Sequence, residues 1–181
     1  MRVFQMNITV YLGSASGKDP KYAREVRKLG AWIGSAGHRL IYGGSRIGLM
    51  GELAEAVLVA GGEVIGVEPE FFVNSCLQHD GITELIVTDT MAERKTRLIE
   101  LGDAYIAFPG GTGTLEEISE VMSQVRLGHN ESPCIILNLD GYYEPLRVML
   151  DRMVQEGFLD RESRDKFLFA ADTEEIGRIL G

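Results

Sequence analysis

Short runs rich in β-branched residues alternate with longer segments of helical period, and this alternation restricts the chain to few architectures. The runs are Ile8 to Leu12, Arg39 to Tyr42, Val64 to Val67, Leu85 to Val87, Ala104 to Phe108 and Cys134 to Leu139. Most are continuously apolar, the pattern of strands covered on both faces. Between them lie helical segments near Pro20 to Ala36, Leu49 to Ala60, Met91 to Leu101, Thr114 to Leu127 and Tyr142 to Glu156, and a short helix, Thr173 to Leu180, closes the chain. Asp19 before Pro20 is a start signal, an N-cap followed by proline at the first helical position. Right-handed crossovers then imply a doubly wound α/β domain, a parallel sheet flanked by helices on both faces. No linker or repeat divides it, so one domain is expected over residues 1–181, with residues 1–7 as a flexible N-terminal extension.

In such sheets ligands bind beyond the carboxyl ends of the strands. Glycine makes up 22 of the 181 residues, well above the usual share of about 7%, and the surplus is expected in loops on that edge. Gly13 and Gly17 follow the first strand, Gly43, Gly44 and Gly48 the second, and Gly110, Gly111 and Gly113 the fifth. The sharpest loop is Pro109-Gly110-Gly111-Thr112-Gly113-Thr114-Leu115-Glu116-Glu117. Proline ends the ladder, the glycines admit a ligand close to the backbone, and a helix starts near Thr114. Free N–H groups at that start, with the Thr112 and Thr114 hydroxyls, suit a phosphate.

Two other phosphate loops fail on residue identity. A dinucleotide fingerprint needs a small residue where Glu116 stands, and no ribose-binding acid follows the second strand, so bound NAD is not expected. Gly13-Ser14-Ala15-Ser16-Gly17-Lys18-Asp19 is one residue short of a P-loop and carries Asp19 where magnesium needs a hydroxyl.

The formal charge is −9, from 18 Lys and Arg against 27 Asp and Glu. A surface this acidic disfavours a nucleic-acid polymer or an anionic membrane, and any anionic ligand needs a local cationic pocket. The segment from Met91 provides one. At 100° per residue, Arg94 and Lys95 fall inside the apolar arc of Met91, Leu98, Ile99 and Leu101, so two adjacent cations face inward. On the helix after the glycine loop, Leu115, Ile118, Val121, Met122 and Val125 share a face. Glu116 and Glu120 point away from it as solvated acids, whereas Glu117 lies on its flank, one turn from the phosphate loop. Such a set fits chemistry on a phosphorylated sugar or nucleotide. A carboxylate near ribose stabilises positive charge as a C–N bond loosens or orients water, and an arginine stabilises the leaving base or anchors anionic oxygens. No step requires a metal.

Gly43-Gly44-Ser45-Arg46-Ile47-Gly48-Leu49-Met50-Gly51, Met91-Ala92-Glu93-Arg94-Lys95 and Pro109 to Glu117 resemble, in order and spacing, the signature segments of the Lonely Guy (LOG) family, cytokinin riboside 5′-monophosphate phosphoribohydrolases often mislabelled lysine decarboxylases. The likeness runs from about Ile8 to Phe158 and includes Asp140-Gly141-Tyr142-Tyr143 and Glu156-Gly157-Phe158. It implies a Rossmann-like fold and hydrolysis of an adenine-type nucleoside 5′-monophosphate to free base and ribose 5-phosphate, without a cofactor or metal. It further implies that Arg94 and Glu117 are catalytic. Substrate binding would fall to Gly43, Gly44, Met50, Lys95, Gly110, Gly111, Thr112, Gly113, Thr114, Glu116 and Ser123. Relatives form dimers or larger homo-oligomers. Two departures stand out: Ser45 replaces a third glycine, and Cys76 occupies a position where many members carry a substrate-contacting Glu. A lysine decarboxylase would need a pyridoxal phosphate lysine, for which Lys95 is the sole candidate.

Cys76 and Cys134 are too few and too far apart for a disulfide framework or zinc site. His38, His79 and His129 lack metal spacing and read as surface or capping residues; Trp32 reads as core, and Phe71-Phe72-Val73 as a cover for the cleft or a partner surface. With neither a signal-like N-terminus nor 18 consecutive apolar residues, the chain is expected to be cytoplasmic. The alternative to an enzyme is a non-catalytic nucleotide-binding or sensing module on the same scaffold. A pure binder needs the phosphate loop but not both Arg94 and Glu117.

Overall fold

The structure is a computed structural model that describes residues 5–73, 75 and 77–181. In chain order it contains β1 (Asn7–Tyr11), α1 (Pro20–Ser35), β2 (Arg39–Tyr42), α2 (Gly48–Val59), β3 (Glu63–Pro69), α3 (Glu70–Val73), β4 (Glu84–Thr88), α4 (Met91–Leu101) and β5 (Ala104–Ala107). There follow α5 (Thr112–Arg126), β6 (Cys134–Leu137), a 3₁₀ turn (Leu139–Gly141), α6 (Glu144–Gln155), α7 (Arg161–Asp165), β7 (Phe167–Ala170) and α8 (Thr173–Leu180).

All seven strands join one parallel sheet in the order β4-β3-β2-β1-β5-β6-β7. Ile8 of β1 pairs with Leu40 on one side and Ala104 on the other. The chain therefore winds outward from β1 to β4, returns, and winds the other way from β5. Between β1 and β5 the strand order reverses, and there the loops diverge and open a crevice.

Successive strand residues enter opposite cores, which explains the continuously apolar runs. Ile8, Val10, Leu40, Tyr42 and Val64 pack beneath α1, α2 and α8. Tyr11, Ile41, Ile65, Val67 and Tyr105 pack beneath α4, α5 and α6. Burying a side chain such as Ile8 or Leu40, both at 0% exposure, contributes about 1.5–3 kcal/mol. Asp19 caps α1 as the sequence implies, its carboxylate accepting from Lys21 N at 2.8 Å.

Several expectations need correction. The glycine surplus is not confined to loops, because Gly30 and Gly34 lie inside α1. There a Cβ would sit 2.6 Å from Ala56 Cβ and from the Val57 carbonyl oxygen, so their bare backbone is what lets α1 and α2 pack so closely. Strand β7 and helices α3 and α7 are additional elements. Helix α5 begins at Thr112 rather than near Thr114. Asn7 belongs to β1, with its amide donating to Asp103 at 2.8 Å and its side chain to the Leu101 carbonyl, so it is no part of a flexible extension. His38 is buried at 2% exposure against Trp32, not on the surface, and its Nδ1 accepts from Met6 N. Leu115 is 42% exposed instead of facing the core. Cys76 lies outside the described residues. Among the described residues no helix is long and apolar enough to cross a membrane.

Candidate active site

A cleft of about 500 Å³ opens at the carboxyl ends of β1, β2, β3 and β5. Its walls are Leu12 to Ala15 after β1, Gly43 and Ser45 after β2, the start of α4, and the loop leading into α5. A short helix and the strap after it add Phe72 and Leu77. The strap is tied to the β2 loop by Arg46 N to Leu77 O at 2.9 Å and His79 N to Gly44 O at 3.0 Å.

Helix α4 starts where it does because Thr90 caps it, accepting from Glu93 N, while the Glu93 carboxylate accepts from Asp89 N. One turn on, Arg94 points down into the cleft with 7% exposure. Its Nε donates to the Val67 carbonyl at 2.9 Å and its Nη1 to Glu117 Oε1 at 2.9 Å. A side chain at Gly43 would collide with Arg94 Nη2, so the glycine after β2 makes room for the guanidinium. The pair is largely desolvated, with side-chain exposures of 8% and 12%. Burial raises the Glu117 pKa and Arg94 opposes that rise through its charge and hydrogen bond.

Lys95 takes a different role from Arg94. Its Nζ reaches Glu116 at 2.9 Å and Glu120 at 3.3 Å. The two acids read as merely solvated are therefore this lysine's partners, and their hydrogen bonds push the lysine pKa up.

The α5 N-terminus opens into the cleft. Gly111 is its N-cap, and among the described residues no side chain bonds to the first turn, whose N–H groups are left without a capping partner. Gly111, Thr112, Gly113 and Thr114 all line the cleft. Tyr142 and Tyr143 brace this loop from behind, donating to the Gly110 carbonyl at 2.6 Å and the Phe108 carbonyl at 2.9 Å.

The cleft thus gathers Gly43, Met50, Arg94, Lys95, Gly111 to Thr114, Glu116 and Glu117. Gly44 and Gly110 are not among the residues that line it. Ser123 is not in it; its hydroxyl donates to the Ser119 carbonyl on the outer face of α5. Sequence reasoning missed Glu68, which lines the cleft with 2% exposure from the end of β3.

Fold and cleft define a doubly wound α/β protein with an uncapped helix N-terminus beside a buried arginine–glutamate pair. Residues 50–180 match the family described as "Possible lysine decarboxylase". The chain is 42% identical over 169 residues to the cytokinin riboside 5′-monophosphate phosphoribohydrolase of Rhodococcoides fascians, covering 93% of this chain and 85% of that protein. It is 38% identical to the enzyme of that name, LOG, from Oryza sativa subsp. japonica, covering 93% and 70%. The chain belongs to this phosphoribohydrolase (LOG) family. In fold it is also similar to the molybdenum cofactor binding protein of Rippkaea orientalis, with a TM-score of 0.72 at 24% identity over 97% of this chain and 95% of that one.

The decarboxylase description does not suit the cleft. A Schiff-base lysine needs its pKa depressed so that the free amine can attack, and Lys95 is held protonated by two carboxylates. The residues present do not fit pyridoxal phosphate.

Proposed function

We propose that the protein hydrolyses the N-glycosidic bond of an adenine-type nucleoside 5′-monophosphate, giving free base and ribose 5-phosphate. The observation that carries this reading is the Arg94–Glu117 pair, buried one turn from the uncapped start of α5. The 5′-phosphate sits on the N–H groups and hydroxyls of Thr112 to Thr114, which brings the ribose over Glu117. As the bond from C1′ to the base nitrogen breaks, its electron pair leaves with the base and positive charge develops on the sugar. The Glu117 carboxylate stabilises that charge and orients a water whose oxygen bonds to C1′. Arg94 stabilises the electron-rich leaving base, and the proton that water loses ends on the base. Lys95 lends positive charge to the nucleotide. Incubation with AMP and with isopentenyladenosine monophosphate, followed by chromatography, is expected to yield free base. Release from neither would leave a binding or sensing module.

Glu117 must be ionised to act, and burial raises its pKa. The acid limb of kcat/KM is therefore expected above the 4.5 of an ordinary glutamate, with activity lost as pH falls through it. A profile flat down to pH 4 would contradict the role given to Glu117.

The protein is further proposed to act as a homodimer or larger homo-oligomer. Leu115 of α5, Leu127 at its C-cap, Val148 and Met149 of α6, and Phe158 are all more than 40% exposed, large apolar side chains of the kind a partner subunit covers. Sedimentation at micromolar concentration is expected to give at least twice the 20.0 kDa chain mass; a monomer would reject this.

A further inference from the structure

Glu68 takes no part in the chemistry just described, yet it is among the least exposed charged residues of the molecule. It lines the cleft at 2% exposure, and its Oε2 has no hydrogen-bond partner among the described residues. The Gly44 backbone packs along the whole side chain, where a Cβ would lie 3.1 Å from Glu68 Cβ and 3.3 Å from its carboxyl carbon, so the bare backbone makes room for this carboxyl. A buried carboxyl oxygen without a hydrogen-bond partner is destabilising. The nearby Arg94 charge offsets part of that cost but leaves Oε2 without a hydrogen bond, so the oxygen is open to a donor that enters the cleft.

Its position says which part of a nucleotide it meets. The anion loop follows β5, while Glu68 ends β3, with β1 and β2 between them. At about 4.8 Å per strand the two are roughly 14 Å apart across the sheet edge. Arg94 stands between them, bonded on one side to Glu117 on the α5 side and on the other to the Val67 carbonyl beside Glu68. With phosphate on α5 and the sugar at Glu117, the base extends toward β3. There Ile47, Met50, Phe72 and Leu77 supply apolar walls, and Glu68 supplies the carboxylate, with Ser45 as a second polar residue.

We propose that Oε2 of Glu68 accepts a hydrogen bond from the exocyclic amino group of the base, which makes Glu68 the residue that selects a 6-aminopurine nucleotide over a 6-oxopurine one. The inference rests on the nucleotide reading above. A 6-oxo group sets acceptor against acceptor in a desolvated site, a mismatch that hydrogen-bonding sites reject strongly. An N6-alkylated adenine keeps one N–H and remains acceptable. Rejecting the 6-oxo group requires the ionised carboxylate, which only accepts; burial raises the Glu68 pKa and the adjacent Arg94 charge opposes that rise, favouring the ionised form.

The test is binding of AMP and IMP by calorimetry in a Glu117→Gln background, so that no substrate is consumed. AMP is expected to bind at least about 10-fold tighter than IMP, as the loss of one buried hydrogen bond plus an unpaired acceptor requires. Glu68→Gln, whose amide can donate as well as accept, and Glu68→Met, which keeps length without an acceptor, are each expected to bring the two affinities within about threefold. An AMP-to-IMP ratio unchanged in either folded variant, or no preference in the parent, overturns the proposal. A purely structural Glu68 would alter melting temperature without moving that ratio. Because the readout is binding, it is separate from hydrolysis. A wild-type protein that releases no base, while Glu68→Gln still erases the AMP preference, would refute the proposed reaction and uphold the role of Glu68.

Discussion

Glu117→Gln is expected to lower kcat for AMP hydrolysis by about 10³-fold, within the range typical of a positioned catalytic carboxylate, while Kd for AMP changes by less than about threefold. The asymmetry follows from what the carboxylate touches. Gln keeps the shape and the oxygen that accepts from Arg94 Nη1 at 2.9 Å, so the guanidinium stays in place under Gly43. What disappears is the negative charge beside C1′, and that charge matters only once the glycosidic bond has begun to open. Phosphate recognition on α5 does not involve it. Alanine would be a poorer probe, because removing one partner of a pair with side-chain exposures of 8% and 12% leaves a buried arginine unpaired at a cost of about 3–5 kcal/mol. Single-turnover kinetics beside calorimetry separates the two effects. A kcat within tenfold of wild type would show that Glu117 is not the group that acts on the sugar.

That Arg94 and Glu117 could be singled out from sequence reflects the local nature of helical geometry. A 3.6-residue period puts inward positions in view without knowledge of the neighbours, and both residues lie on well-formed helices. Lys95 was also legible as inward, but its partners were not. Glu116 and Glu120 belong to another helix, and only the packing of α4 beside α5 turns two apparently solvated acids into its ligands. Glu68 was invisible for the opposite reason. It follows the continuously apolar run Val64 to Val67, where both faces are buried, so strand alternation says nothing about where an acid at the end points. Strand β7, Phe167 to Ala170, is as short as β2 but carries no β-branched residue and follows the charged segment Arg161 to Lys166, so it does not stand out as a strand. The placement of Gly30 and Gly34 likewise depends on α2, which a reading of α1 by itself cannot supply.

The glycines of the anion loop lead to the second large effect, because Gly111 and Gly113 differ from those two. A Cβ at either would meet no protein atom within 4 Å, and neither has a positive φ. Neither the fold nor the backbone conformation therefore requires a bare backbone here, and both residues line the cleft. The remaining reason for glycine is the close approach of a ligand. Gly113→Ala, inside the first turn of α5, should then raise stability by up to about 1 kcal/mol through helix propensity, seen as a melting temperature higher by about 2–4 °C for a chain of this size. The same methyl stands where phosphate oxygens must reach the N–H groups, so kcat/KM for AMP is expected to fall by about 10²-fold or more, as when electrostatic donors are lost from a catalytic site. Adenosine, which lacks the phosphate, should be a substrate poorer than AMP by at least that factor and should be nearly indifferent to Gly113→Ala. A variant that is more stable and equally active on AMP would remove the phosphate from this loop. Equal rates on adenosine and AMP in the wild-type protein would do the same, and would leave the α5 N-terminus without a ligand.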